Sequence, residues 1–350
     1  LAMVLAACGS ESGETTTTAA DTTTTSMATT TTAPETTTTT GFETVTVKVV
    51  TLPFITFAPY YIGVEEGYFE KYGVEVELVE FTVQEEILPA LSSGQVDVSS
   101  GLVSAGMFNA IARGGEIKIT SDKGYVDPDG CVNWSVLGRS DLVESGALDD
   151  PSQLEGLTVN IVPTTWLEFY LSEVLAEGGL TLDDIEKVNV SSPAVPEALD
   201  SEQIDVAVNA EPWVTRLGAA GHVPVLPLPQ ELTPGESGAV QMFGPTLLGD
   251  NRDAGVRFMA GYLEAVNQYL EGPTERNLEI IADFSQLPED LLSSMCWPAL
   301  NPTGDVAVEG VMDFQEFALE RGYQDEIVEP EDFYDDSFLT EARQLMEETG

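Results

Sequence analysis

The sequence predicts an α/β protein of two lobes, each built on a parallel sheet, with a helical C-terminal region. Three observations carry this expectation. From residue 44 short β-rich runs alternate with amphipathic stretches, the pattern of a parallel sheet covered by helices. The alternation pauses in the loop 124–130 and then restarts, so it describes two units. From Arg252 onward the pattern is nearly all helical.

In the first unit VTVKVV (45–50) alternates as a strand, 58–68 reads as a helix, and VEVELV (74–79) is a second strand. A helix from about 84 to 91, a strand at 96–98, a helix at 104–112 and a strand at 117–120 complete it. The second unit opens with a strand at 132–137 and continues with a strand at 157–161. Its helix 165–176 is stopped by Gly178 and Gly179. A strand at 187–190, a short helix at 195–199 and a strand at 204–208 follow, and 239–243 is extended once more. The chain should therefore cross twice between lobes: 44–139 with 242–350 in the first, and 140–241 in the second.

The residues before this unit have a different character. Residues 1–8 read as the tail of a bacterial signal peptide, apolar and then small, ending in Leu5-Ala6-Ala7-Cys8. From Thr15 to Thr40 seventeen of twenty-six residues are Thr, with almost nothing to bury. Such a composition cannot repay the roughly 1–2 kcal/mol per residue that ordering a backbone costs, so 9–43 is expected to be a solvated tether.

Composition narrows the function. Thirteen basic against sixty acidic residues give a formal net charge of −47, which argues against nucleic acid and against electrostatic attraction to anionic lipid. The excess acid should coat the surface, as an adaptation to salt or as a bias of lineage. No later run reaches the eighteen or so apolar residues of a membrane span. Besides Cys8 there are two cysteines, Cys131 and Cys296, which outside the cytoplasm suggest a disulfide, although two buried thiols also fit.

Several motifs then combine. FAPYYIGVEEGYFEKYGVEV (57–76) resembles the opening of the nitrate/sulfonate/taurine-type solute-binding proteins of ABC importers, a group that includes binders of pyrimidine precursors. LSSGQVDV (91–98), LEGLTV (154–159), IDVAVNAEPW (204–213), FQEFALERGY (314–323) and DSFL (336–339) follow in that family's order. The resemblance implies a type II periplasmic-binding fold, two α/β lobes joined by two extended hinge strands, that closes on a small molecule. It also implies delivery to a permease and its ATPase by a monomer, with no cofactor and no metal. Leu5-Ala6-Ala7-Cys8 resembles the lipobox of bacterial lipoproteins, so Cys8 would carry the lipid that holds the protein outside the cell membrane.

In open α/β sheets ligands lie beyond the carboxyl ends of the strands, where helix amino termini offer unpaired N–H groups to an oxyanion. Two loops qualify here: 99–104, with Ser100 and with Ser104 as an N-cap, and 163–166, with Thr164, Thr165 and Trp166. Residue type alone leaves ordinary capping open for both; the resemblance favours ligand contacts. Thr56, Phe57 and Tyr60 in the first loop, Trp134 near a crossing, and Glu211 and Trp213 are further candidates, and the tryptophans suggest a ligand with an apolar or aromatic body.

Catalytic readings find little support. The single histidine, His222, stands in a loop before a strand, and no nucleophile elbow, Walker A loop or zinc spacing occurs. A pyrimidine-synthesising enzyme of this fold would need a cluster of cysteines and histidines that this chain lacks. A lipid-anchored sensor or adhesin on the same scaffold is the other alternative. Nitrate, sulfonates, taurine, pyrimidine precursors and flavins all remain open as ligand, with the scarcity of Arg and Lys weighing against a small bare anion. On the lipoprotein expectation, Cys8→Ser releases the protein from membranes, and cells fed a fatty-acid analogue should label only the parent; label on the Ser variant contradicts it.

Overall fold

A computed structural model describes residues 41–52, 54–81, 86–131, 133–224 and 228–350. The expected lipobox, most of the tether, the start of the helix expected at 84 and Val132 lie outside the described residues.

Among the described residues ten strands form two five-stranded sheets. The first contains β1 (Val45–Thr51), β2 (Val74–Glu80), β3 (Val98–Leu102), β4 (Lys118–Tyr125) and β10 (Ser237–Phe243), in the order β2-β1-β3-β10-β4. The second contains β5 (Trp134–Gly138), β6 (Thr158–Asn160), β7 (Glu186–Val188), β8 (Val206–Ala210) and β9 (Val223–Pro224), in the order β7-β6-β8-β5-β9. In each sheet one inner strand runs antiparallel to its neighbours: β10 between β3 and β4, and β5 between β8 and β9. Each of these follows a crossing of the chain, so each lobe is completed by chain returning from the other. The fold is the type II periplasmic-binding fold, with a helical C-terminal region from Arg252 to Thr349.

Sheet membership moves the expected lobe boundaries. The strand at the end of the expected first lobe, β5, belongs to the second sheet, and β10 begins before 242 in the first. The chain therefore passes from the first sheet to the second between Tyr125 and Trp134, and back between Pro224 and Ser237. All seven residues of β10 and all five of β5 are buried, as inner strands covered on both faces must be.

Other boundaries shift for identifiable reasons. The expected helix 58–68 ends at Glu65, because Gly67 adopts φ 72° and starts a separate turn, Tyr68–Lys71. Residues 99–102, expected as loop, are strand: small side chains let β3 pair with β10 from Ser99 opposite Met242 to Leu102 opposite Ala239. β4 runs on through Asp122 and Lys123, whose polar side chains are nonetheless buried.

Where the lobes meet, two backbone bonds pin them. Ala105 N–H donates to Thr164 O (3.0 Å) and Trp166 N–H to Val103 O (2.9 Å), while Val103 N–H donates to Gly238 O (3.1 Å) within the first lobe. Trp134 and Trp166 pack with ring centroids 5.0 Å apart beside Gly238, where a Cβ would come within 2.8 Å of the Trp166 ring. Only glycine lets β10 enter so closely under the two indoles.

Cys131 and Cys296 form a disulfide with Cα atoms 5.7 Å apart, tying the first crossing to the C-terminal region. The bridge closes a sequence separation of 165 residues. Reduction should therefore destabilise the fold by about 2–5 kcal/mol through the freed unfolded chain. Melting with and without reductant measures this, and an unchanged midpoint contradicts it.

Candidate functional site

A cavity of about 110 Å³ lies between the lobes. Its walls are strand ends. From the first lobe come Leu52, Phe54, Thr56 and Phe57 after β1, Gly101 and Leu102 at the end of β3, Lys123 of β4 and Ala239 of β10. From the second come Asn133 and Trp134 at the start of β5, Asn160 and Val162 at the end of β6, Val190 and Ser192 after β7, and Asn209, Ala210 and Glu211 at the end of β8. The carboxyl ends of the parallel strands and the amino ends of the antiparallel ones thus converge on one space, as the fold's topology requires.

Polar groups in the wall are few and specific. Asn133 and Asn209 are buried, and the Nδ2 of each has no hydrogen-bond partner among the described residues. Asn209 Oδ1 accepts from Ser192 Oγ (3.3 Å) and from Ala210 N–H (3.0 Å), which fixes the orientation of the amide. Asn160 Oδ1 accepts from Val190 N–H (2.6 Å). A buried amide N–H left unpaired costs about 1–3 kcal/mol, so an acceptor-bearing solute would be favoured beside these two groups.

Glu211 is the carboxylate of the wall. It accepts from Thr215 N–H (3.0 Å), Thr215 Oγ1 (2.8 Å) and Cys296 N–H (3.3 Å), and burial raises its pKa despite these bonds. Lys123 lies opposite in chain origin, on the first lobe, and burial lowers its amine well below the usual lysine value. Asp122, next to it, is pushed up to about 7 by burial and accepts from Ser237 Oγ, Gly124 N–H and Asn301 N–H.

Of the residues expected from sequence, Thr56, Phe57, Trp134 and Glu211 line the cavity and the others do not. Tyr60 is buried in the first lobe, its hydroxyl 2.5 Å from Ser100 Oγ and 2.7 Å from Gln241 Oε1, so Tyr60 and Ser100 satisfy each other inside the sheet layer. Ser104 caps the helix Ala105–Ala112, accepting from Met107 N–H (3.4 Å). The helix terminus at 163–166 is already filled. Thr164 N–H donates to Glu168 Oε2 (2.6 Å), Trp166 N–H to Val103, and Thr165 Oγ1 to Val162 O (2.8 Å). The helix supplies its own anion, Glu168, which also accepts from Lys187 Nζ (2.7 Å) and Tyr323 OH (3.1 Å). Trp213 is half-buried outside the cavity, with the Arg216 guanidinium 4.8 Å from its ring. His222 is buried, its Nδ1 accepting from Ser140 N–H (3.2 Å).

Sequence reasoning missed Lys123, Asn133, Asn160 and Asn209. A signal was present: each asparagine follows a valine at the mouth-side end of a strand, in Val132-Asn133-Trp134, Val159-Asn160-Ile161 and Val208-Asn209-Ala210. A larger open groove of about 650 Å³, with Ile117, Leu248 and Val328 in its floor, lies wholly on the first lobe and its C-terminal region. It lacks the contribution of two lobes that distinguishes the cleft.

Residues 40–282 match the NMT1-like family, and the chain belongs to it. No curated protein sequence matches the chain. Among solved structures it is similar to the ligand-binding component of an ABC-type import system from Staphylococcus aureus, with a TM-score of 0.70 and 17% identity over 85% of this chain and 98% of that one. It is also similar to the periplasmic nitrate-binding protein NrtA of Synechocystis PCC 6803, with a TM-score of 0.70 and 14% identity over 87% and 90%. The aliphatic sulphonate binding protein SsuA of Escherichia coli gives 0.66 and 17% over 85% and 99%. The desulfurization enzyme DszB shares the fold as well, at 0.62 and 14% over 86% and 99%.

Beside the cleft, Trp166 Nε1 donates to Glu236 Oε2 (3.0 Å), and burial with the nearby Asp313 and Glu173 raises Glu236 from 4.5 to about 7. The fold disfavours the charged form, so the protonated carboxyl contributes stability below pH 4.5 that is lost as pH rises through 7. Glu236→Gln keeps an acceptor for Trp166 without the charge. Chemical unfolding across pH should show the variant gaining on the parent between pH 4.5 and 7 and holding that lead above it; a pH-independent difference contradicts the assignment.

Proposed function

We propose that this protein is an extracytoplasmic solute-binding protein of an ABC import system. It captures a small organic solute between its lobes and delivers it to a membrane permease, tethered to the cell membrane through a lipid on Cys8. The observation that carries the reading is the cleft itself: apolar and aromatic walls from both lobes around two buried amide N–H groups, on Asn133 and Asn209, that have no partner among the described residues. That arrangement suits a solute with an apolar body and one or two acceptor oxygens, such as a sulfonate or an oxygenated heteroaromatic ring. The sulfonate- and nitrate-binding proteins of the same fold support the class of solute.

We also read the protein as a binder rather than an enzyme. Among the described residues the cavity wall holds no histidine and no thiol, and its carboxylate, Glu211, is held by three hydrogen bonds. A screen of sulfonates, pyrimidines and flavins by thermal shift, followed by calorimetric titration, tests the reading. The bound solute should lose roughly tenfold in affinity on Asn209→Ala, the equivalent of one buried hydrogen bond, with the fold intact. Unchanged affinity in a folded variant would place the solute elsewhere.

A further inference from the structure

Lys123 is a basic side chain sealed in the molecule without a carboxylate partner. It is 1% exposed, and it makes no ion pair among the described residues. Its Nζ donates to Thr56 O and lies 4.3 Å from the centroid of the Phe57 ring and 4.6 Å from that of Tyr60. One carbonyl, two ring faces and the charge of the neighbouring Asp122 offset only part of the hydration an ammonium would lose, so burial holds the amine well below the usual lysine value.

The rest of the wall is matched to negative charge. The unpaired groups of Asn133 and Asn209 are both donors. Several acceptors are already engaged: Asn209 Oδ1 and Asn160 Oδ1 by the bonds given above, and Glu211 by Thr215 and Cys296. A solute bearing anionic oxygens would meet N–H groups and an amine that can become a cation when an anion stands beside it.

We propose that Lys123 senses the charge of the solute: an anion enters the cleft together with one proton from solvent, which converts the amine to an ammonium facing it. A neutral solute of the same shape leaves the amine as it is. This rests on the reading of the cleft as a solute site. No covalent bond changes; the amine nitrogen gains the proton, and the pair formed is electrically neutral. By linkage, the affinity for the anion weakens about tenfold per pH unit wherever the amine is neutral in the free protein and charged in the complex.

The neighbouring titratable groups are Tyr60 on the helix Ala58–Glu65, Tyr262 on the helix Arg252–Tyr269, Asp122 on the same strand and Glu211 across the cavity. Burial raises both tyrosines far above their usual range, pushes Asp122 up to about 7 and raises Glu211. The Lys123→Met variant therefore decides whether proton uptake above pH 8 belongs to Lys123.

Calorimetry of the whole protein at pH 8.5, in buffers of different ionisation enthalpy, counts protons taken up per solute bound. The probes are propane-1-sulfonate and its neutral counterpart propane-1-sulfonamide. About one proton is expected with the sulfonate and none with the sulfonamide. Lys123→Met should abolish the uptake and weaken sulfonate binding roughly tenfold to a hundredfold, as loss of a charged hydrogen bond would. Sulfonate binding without uptake, or uptake that persists in the variant, overturns the proposal. If only the sulfonamide binds, the solute site stands and the charge sensing falls; if neither binds, both fall. A solute-free comparison adds a second arm. Because the fold resists protonating Lys123, the stability lead of Lys123→Met over the parent should shrink as pH rises from neutral toward the usual lysine value; a lead constant with pH overturns the lowered amine.

Discussion

Each lobe depends on a strand that arrives from the other. β5 and β10 are inner, antiparallel members of their sheets, and each stands in its sheet only after the chain has crossed. Neither sheet can be completed from its own contiguous segment, so the two lobes are obliged to share a boundary. The crossing also sets polarity. An antiparallel inner strand starts at the end where its parallel neighbours stop, so Asn133 and Trp134 arrive at the same mouth as Asn160 and Asn209. The cleft is a consequence of strand direction before it is a matter of side chains.

Around that mouth, energy is spent in one place and recovered in others. The lobes close through backbone bonds at Val103, Ala105 and Trp166, and through indoles packed against Gly238. The C-terminal region reinforces this from outside: Tyr323 reaches Glu168 on the second lobe with its hydroxyl, and its carbonyl accepts from Asn109 Nδ2 (2.8 Å) on the first. Against these gains stand unpaired amides and a desolvated amine within the cavity. Buried groups that cost stability and face an open space are those whose partner is expected from elsewhere. The strongly acidic composition makes the setting of Lys123 more particular, since this amine is buried and makes no ion pair among the described residues of a chain with sixty acidic residues.

Much of this fold was legible in sequence because its strands are short apolar runs and its helices amphipathic. What escaped notice was polar backbone inside the sheet. Ser99, Ser100 and Gly101 carry no apolar signal, yet they belong to β3, with Ser100 paired to Tyr60 by a contact across forty positions in sequence. Asp122 and Lys123 lie in β4 for the same reason, their partners being contributed by Ser237, Asn301 and Thr56. The loop at 163–166 differs for another reason. Its helix terminus does attract an anion, but the anion is Glu168, four residues after Thr164 and visible in the sequence as a capping arrangement. Thr56, Phe57, Trp134 and Glu211 were expected from their places at strand ends, and they line the cavity.

The central claim is that the solute lies between the lobes among Asn133, Asn209 and Lys123. A crystal structure of the protein grown with a solute identified by the screen tests this most directly. The account predicts density in the cleft, with acceptor atoms within hydrogen-bonding distance of both asparagine Nδ2 atoms. Density confined to the open groove of the first lobe beside Ile117 and Val328, with the cleft holding only water, would contradict it.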